Sequence, residues 1–460
     1  MDQEIFILEN NGTYVLFAPI KGIIMEISKN EAEKLTELIE KQSLDFETLF
    51  LMFPEIDQNN LLNVTHEAPS SEQGFFPTSV VLFPSFDCRL RCIYCYSEAG
   101  DFSPKTVVTN KRMSWKIAKA SIDFIVGNAE KLSAPEASIE FHGGGEPTEN
   151  WGIFQKTILY FKKKCVEKNI RPRIYVVTNG IFSIKKAEWI VNQCVDMAQV
   201  SFDGVADIQN FQRPLMSGKG SFPIVYRTSK YLFDQNVPLT IHSVITENSV
   251  KRIPEIINFF VKEFPGATIH IEPVSECGRG LRTGQKFPSP QLFIDGFLEA
   301  EEIARKHGSE LFYSAVRSDL TDMGETFCGV SSPGFVVTPE GLITACHEVS
   351  KKDHVLANTF IYGFFDEGSN TFCFLEEKIK NLRNLSQKKN PACVKCFAKY
   401  YCAGDCPIKN LTNGSEQPTL LQNPRCGINQ KITNYYIFKS FLEGGDLYEN
   451  EENYISQSQN

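Results

Sequence analysis

The sequence has no run of about 18 apolar residues, so none of its patterns reads as a membrane-spanning helix. Its opening, MDQEIFILENN, lacks both a basic start and a long apolar stretch, and no secretory signal is read there. Positive charge is not in excess either: 47 Lys and Arg against 56 Asp and Glu leave a net charge of −9. That balance gives no electrostatic footprint for nucleic acid or an anionic membrane. The expectation is a cytoplasmic protein acting on small molecules or peptides, with no nucleic acid and no membrane among its partners. No internal repeat stands out beyond a strand–helix rhythm.

What the chain does have is length and cysteine. Its 460 residues exceed one ordinary domain and would accommodate a barrel of about 250 residues plus smaller modules. Fourteen cysteines in a large chain without a secretory signal favour metal or redox chemistry over structural disulfides.

Near the N-terminus, GTYVLFA, the turn PIKG and then IIMEI predict a β-hairpin. Ser28 and Glu31 have capping-box spacing, and Ala32, Leu35, Leu38 and Ile39 form a helical apolar stripe. FETLFLMF predicts a second short helix, and the polar stretch from Asp57 to Pro77 a linker. From Ser79 onward SVVLFPS, ASIEFHG, RIYVVTNG, AQVSFDG, LTIHSVI and TIHIEPV read as strands buried on both faces, separated by helical patterns. Six such units imply an α/β fold with a parallel sheet curved into a partial, TIM-like (β/α)6 barrel, its active groups at the strands' C-terminal ends. The βα rhythm gives way from about Thr326, where cysteines become dense. The expected division is an α+β module at 1–75, the barrel at 76–310, a cysteine-rich domain at 311–442 and a disordered acidic tail at 443–460.

The first βα loop contains CRLRCIYC, with Cys88, Cys92 and Cys95 at spacings of four and three residues. A structural zinc normally takes four protein ligands, and this loop has neither a histidine nor a fourth cysteine. Three thiolates on a [4Fe–4S] cluster instead leave one iron for another ligand. The pattern, with Tyr94 before the last cysteine, resembles the CxxxCxφC loop of the radical SAM superfamily. The resemblance implies S-adenosylmethionine (SAM) on that iron and its reductive cleavage to a 5′-deoxyadenosyl radical. Gly144, Gly145, Glu146 and Pro147 resemble the family's GGEP motif, which contacts the SAM amino group. Ser201 and Asp203 lie where relatives contact the ribose or methionine moiety, and Arg213 is placed to reach the SAM carboxylate.

The later cysteines read Cys328, Cys346 (in the motif Gx4C with Gly341), Cys393, Cys396, Cys402, Cys406 and Cys426. Taken alone, CVKC with CAGDC would also suit a zinc knuckle. After a radical SAM loop, the set resembles the SPASM domain of peptide-modifying relatives, which holds two auxiliary [4Fe–4S] clusters, making three in all. The resemblance implies one auxiliary cluster on Cys393, Cys396, Cys402 and Cys426, and another on Cys328, Cys346 and Cys406. Some relatives supply an eighth cysteine just upstream of the first. Here no cysteine lies between Cys277 and Cys328, so the second set is expected to keep an open position unless Cys373 or Cys277 fills it. Cys165 and Cys194, in helical patterns, read as buried small hydrophobes.

Three functions compete on this reading. The first is a maturase of ribosomally made precursor peptides, forming an intrapeptide cross-link, with a thioether favoured over carbon–carbon bonding or epimerisation. In it the N-terminal module resembles a winged-helix-like element that binds the precursor's leader as an added strand, and flavodoxin or ferredoxin donates electrons. The second is a formylglycine-forming anaerobic sulfatase maturase. That family has aspartate after the Gx4C cysteine, where this chain has His347. The third is non-catalytic, with the clusters serving only as electron-transfer or structural elements. His347 and Glu348 are the candidate acid–base groups.

Overall fold

The computed structural model describes residues 4–56, 74–101, 111–332, 334–385, 393–410 and 425–442. The expected acidic tail and most of the expected linker lie outside the described residues.

Strands β1 (Phe6–Asn10), β2 (Thr13–Ala18) and β3 (Ile23–Ile27) pair antiparallel in that order, so the hairpin gains a strand on its N-terminal side. Helices α1 (Lys29–Glu40) and α2 (Phe46–Met52) follow. The capping box forms: Ser28 Oγ accepts from the Glu31 amide at 3.3 Å, and the Glu31 carboxylate accepts from the Ser28 amide at 2.7 Å. Because side chains alternate along a strand, β2 serves two cores. Leu16 and Ala18 join Leu35 and Leu49 in the module's own core, while Val15 and Phe17 enter the main one. A Glu4–Lys399 ion pair at 2.6 Å and Phe17–Tyr401 ring contact at 6.1 Å seat the module on the cysteine-rich region.

The barrel alternates β4 (Ser79–Leu82), α3 (Trp115–Leu132), β5 (Glu136–Phe141), α4 (Trp151–Glu167), β6 (Arg171–Thr178), α5 (Ile184–Asn192) and β7 (Met197–Ser201). It continues through α6 (Ala206–Gln212), α7 (Phe222–Asp234), β8 (Leu239–Ile245), α8 (Ile253–Glu263), β9 (Thr268–Pro273), α9 (Gly278–Thr283) and α10 (Pro290–Lys306). Strands β4 to β9 pair parallel in chain order, the six expected from sequence.

The sheet is extended at both edges. The two-residue β10 (Leu311–Phe312) runs parallel to β9, and β11 (Val336–Val337) runs parallel to β4. Antiparallel β12 (Leu342–Thr344), α11 (Ala357–Phe360), β13 (Ile361–Asp366) and β14 (Thr371–Phe374) continue from β11. The chain then forms α12 (Glu376–Arg383), α13 (Lys399–Cys402), α14 (Pro407–Asn410) and α15 (Cys426–Leu442). The cysteine-rich region thus shares one 11-stranded sheet with the barrel. That continuity brings the loop after β12 over the barrel mouth.

One sequence expectation is corrected here. The barrel strands are not apolar on both faces. Ile139, Phe141, Val200, Ile241, Ile269 and Ile271 are fully buried in the main core, whereas the residues alternating with them, Gln199, Ser201, His242 and His270, line an internal cavity. Cys165 is buried in α4 as expected, but Cys194 is exposed: it follows the end of α5 in a left-handed conformation (φ 50°) that directs the chain away from the helix.

Candidate active site

The chain leaves β4 into the loop bearing Cys88, Cys92 and Cys95. Cys88 Sγ accepts from the Leu90 amide and from Asn179 Nδ2, both at 3.4 Å. Burial, reinforced by the neighbouring thiols, pushes Cys92 up to about 11 and Cys88 higher still. Three half-buried thiols gathered in one short loop, Cys88 and Cys92 among them raised by burial, form a donor set that a cation would hold as thiolates, so these residues fit a metal cluster. Two arginines fix the backbone carrying them. Arg91 donates to the carbonyls of Cys88 at 3.1 Å and Gly100 at 2.9 Å. Arg279 donates to those of Cys92 and Ala99, both at 2.9 Å, and pairs with Asp101 at 2.9 Å. Gly278, at φ 50°, lets this clamp approach: a Cβ there would strike the carbonyls of Cys95 and Tyr96.

The glycine run after β5 packs directly against that loop. A Cβ on Gly145 would meet Phe86 C at 2.6 Å, Ser85 O at 2.7 Å and Asp87 O closer still. One on Gly144 would meet the Phe86 ring at 2.6 Å. Gly143 O accepts from Tyr96 Oη at 2.8 Å and Gly144 O from Ser97 Oγ. The buried Glu146 carboxylate accepts from Thr148 N (3.1 Å), Thr148 Oγ1 (2.8 Å), Thr178 Oγ1 (2.8 Å) and Asn179 N (2.9 Å). Its side chain therefore ties the end of β5 to the end of β6, and the turn Gly143–Glu146 lines the cavity. Pro147 opens the short 3-10 turn that follows.

Asp203, expected as a ligand contact, is fully buried at the centre of a hydrogen-bond hub. Its carboxylate accepts from Arg213 Nε at 2.9 Å, Gln212 Nε2 at 2.7 Å, Val244 N at 3.1 Å and Tyr94 Oη. Arg213 lies over the Tyr94 ring at 5.3 Å and lines the cavity together with Tyr94 and Ser201. Burial raises the Tyr94 hydroxyl well above the ordinary tyrosine range, so it stays protonated as the donor to Asp203.

A cavity of about 480 Å³ connects this wall to the cysteine-rich region. From the latter come His347, Glu348, Cys406, Lys409 and Arg425, with Cys277 from the end of the barrel. Lys409 pairs with Glu348 at 2.8 Å, Arg425 with Asp405 at 3.0 Å, and Lys351 Nζ donates to Ser97 O at 2.7 Å. Cys346 feels the charges of Cys406 and Cys328, burial being the larger influence on it. Cys393 feels Cys396 and Cys426, and Cys402 feels Cys396 and Cys393, again after burial. The structure therefore gathers the seven cysteines into two neighbourhoods. Cys277 is pushed up to about 11 by burial and responds next to Lys409, Glu348 and Cys95. Cys373 lies on β14, paired across from Phe364. His347 and Glu348 sit in the cavity wall, and burial pushes His347 down to about 4.

Sequence reasoning missed Asn179, Arg279, Lys351 and Lys409. The TNG that ends β6 and the ECGRG after β9 carry some signal, since each places a polar residue beside glycine at a strand's C-terminal end. Lys351, in the loop after β12, and Lys409, in α14, are brought to Ser97 and to the cavity only by the tertiary fold.

Residues 82–260 match the model of the Radical SAM superfamily. The chain thus carries a radical SAM domain on a partial barrel and is an enzyme; the domain implies SAM and a [4Fe–4S] cluster. Its relatives include the cysteine-type anaerobic sulfatase-maturating enzyme of Clostridium novyi, 22% identical over 373 residues, 78% of this chain and 92% of the relative. Among solved structures, native anSMEcpe with bound AdoMet aligns with a TM-score of 0.61 at 20% identity, covering 79% of this chain and 98% of its own. Streptococcus suis SuiB bound to precursor peptide SuiA aligns with a TM-score of 0.50 at 14% identity, covering 92% of this chain and 98% of its own. These structural likenesses show a shared fold.

Proposed function

We propose that this protein is a peptide maturase that abstracts hydrogen from a ribosomally made precursor and closes an intrapeptide thioether. The observation that carries this reading is the single cavity shared by the cysteine-triplet loop, the glycine turn and the loops of Cys346 and Cys406. A cluster on Cys88, Cys92 and Cys95, with SAM, would supply the 5′-deoxyadenosyl radical by reductive cleavage. Around it, Arg91 and Arg279 hold the cysteine loop, and the Gly143–Gly145 backbone offers hydrogen-bonding groups close to the ligand. Asp203 orients Tyr94 and Arg213, with Ser201 beside them. Cys393, Cys396, Cys402 and Cys426 are suited to one auxiliary cluster. Cys328, Cys346 and Cys406 would hold another, leaving one position for a substrate thiolate. His347 and Glu348 are placed to take the proton lost in the oxidation. Residues 1–75 are assigned to leader binding, with β1 and β3 as edge strands open to β-augmentation, and residues 311–442 to the auxiliary clusters. Flavodoxin or ferredoxin is the electron donor in this reading.

The likeness to SuiB supports the assignment of the N-terminal module, because its 92% coverage of this chain is too long to omit that module. The likeness to sulfatase-maturating enzymes supports a second reading, formylglycine formation. Anaerobic incubation of the reconstituted protein with SAM, a reductant and candidate peptides separates the two. A loss of two hydrogens with a thiol no longer open to alkylation marks a thioether. The same mass loss with every thiol still alkylatable marks a carbon–carbon bond, and an unchanged mass with a D-residue marks epimerisation. Formylglycine in a sulfatase peptide marks the rival. Absence of 5′-deoxyadenosine with every peptide refutes both enzyme readings.

A further inference from the structure

Seven histidines occur in the chain, and two of them, His142 and the acid–base candidate His347, meet a glutamate at one point; a cation held there would leave the acid–base role to Glu348. Glu140 and His142 are two residues apart at the end of β5, so both project from the same face of the sheet. His347 arrives from the loop after β12, carried there by the pairing of β11 with β4. The ligating atoms of the three side chains all lie within 4.8 Å of one another. The two imidazole rings are 4.3 Å apart, with Phe83 walling them at 6.0 and 6.1 Å.

The local bonding is incomplete for groups placed this way. Among the described residues no hydrogen bond or ion pair reaches the Glu140 carboxylate, and no hydrogen bond reaches the His347 ring. His142 makes one, accepting the Gly143 amide on Nδ1 at 2.8 Å, which leaves Nε2 for another partner. The three side chains are half-buried, and one cation would satisfy the ligating atoms left without partners.

We infer that Glu140, His142 and His347 form a mononuclear site for a divalent transition cation of borderline softness, distinct from the cysteine sets. Two imidazoles and one carboxylate suit zinc or ferrous iron. Magnesium and calcium take more oxygen ligands, and the softest cations take thiolates. When a cation occupies Nε2, the ring proton of His142 moves to Nδ1 and the Gly143 amide turns away.

Zinc is the probe. The reconstituted holoenzyme, desalted with a weak chelator and equilibrated with zinc, should retain one zinc per chain beyond its iron. Crystals of it should show an anomalous peak at the zinc edge between the three side chains. Glu140→Gln and His142→Gln should each weaken zinc retention by about tenfold or more at unchanged iron content. The inference is overturned if the wild type retains no zinc, if the anomalous peak lies on cysteines, or if Glu140→Gln holds zinc as tightly as the wild type. Should the variants fail to fold, the wild-type diffraction decides alone.

Discussion

The Asp203 hub gives the sharpest test of how the barrel holds its cysteine loop. Asp203→Asn keeps the size of the side chain but turns one acceptor oxygen into a donor. Four donors converge on the wild-type carboxylate, from Tyr94, Gln212, Arg213 and Val244, so at least one then faces an NH2 group. The Arg213 guanidinium also remains buried without its counter-charge. Removing one partner of a buried ion pair costs about 3–5 kcal/mol, and each stranded donor about 1–3 kcal/mol, the two overlapping at this site. A loss of about 3–5 kcal/mol is therefore expected for the single variant. Arg213→Met alone should also destabilise, whereas the double variant removes both charges. Its cost should fall below the sum of the singles by about 2 kcal/mol or more. The assay is anaerobic urea unfolding followed by tryptophan fluorescence. All three tryptophans, Trp115, Trp151 and Trp189, lie in barrel helices, so the signal reports the barrel. A shift under about 1 kcal/mol for Asp203→Asn, or strict additivity in the cycle, would refute the hub.

Gly145→Ala should sharply weaken SAM binding in equilibrium dialysis, because its Cβ would meet backbone atoms of residues 85–87 that cannot rotate aside. Replacing Cys88, Cys92 and Cys95 together with alanine should abolish 5′-deoxyadenosine formation while leaving about eight irons per chain by metal analysis, if two [4Fe–4S] clusters remain. In zinc-free protein, burial raises Glu140 from an ordinary 4.5 to about 7. Between those values the folded state keeps a proton that the unfolded state releases, so stability falls as pH rises across that window. Glu140→Gln should thus be more stable than the wild type at pH 8 by up to about 3 kcal/mol, the gap closing toward pH 5 in paired urea titrations.

Much of this architecture was legible because local rules carried it. The six barrel strands, the α1 capping box and the cysteine spacings each involve residues close in sequence, where periodicity and composition operate. The third strand of the N-terminal sheet was not legible: IFILEN, without a turn residue before it, has little to separate it from the chain's start. Nor was the role of Asp203. Sequence places it after a strand, but only the fold shows that Tyr94, Gln212 and Val244 turn toward it rather than toward a ligand. Arg279 and Cys95 are far apart in the chain, yet Gly278 puts them in backbone contact. Long-range pairing of this kind leaves no local trace.

The barrel interior carries the least legible feature. Read as a run, LTIHSVI and TIHIEPV are apolar strands, and their histidines look incidental. Folded, the alternation turns His242 and His270 into the cavity, where His142 and His347 join them. Burial lowers all four below the ordinary histidine range, so they stand there as neutral rings. A lumen filled with Val, Ile and Leu would be the cheaper packing for such a barrel. The polarity therefore bears on what enters rather than on what holds the walls together. The cations in the wall are already paired, Arg213 with Asp203, Arg425 with Asp405 and Glu272, and Lys409 with Glu348. A cavity with neutral donors and acceptors and with its cations already paired can hydrogen-bond an uncharged peptide segment without demanding an anion from it.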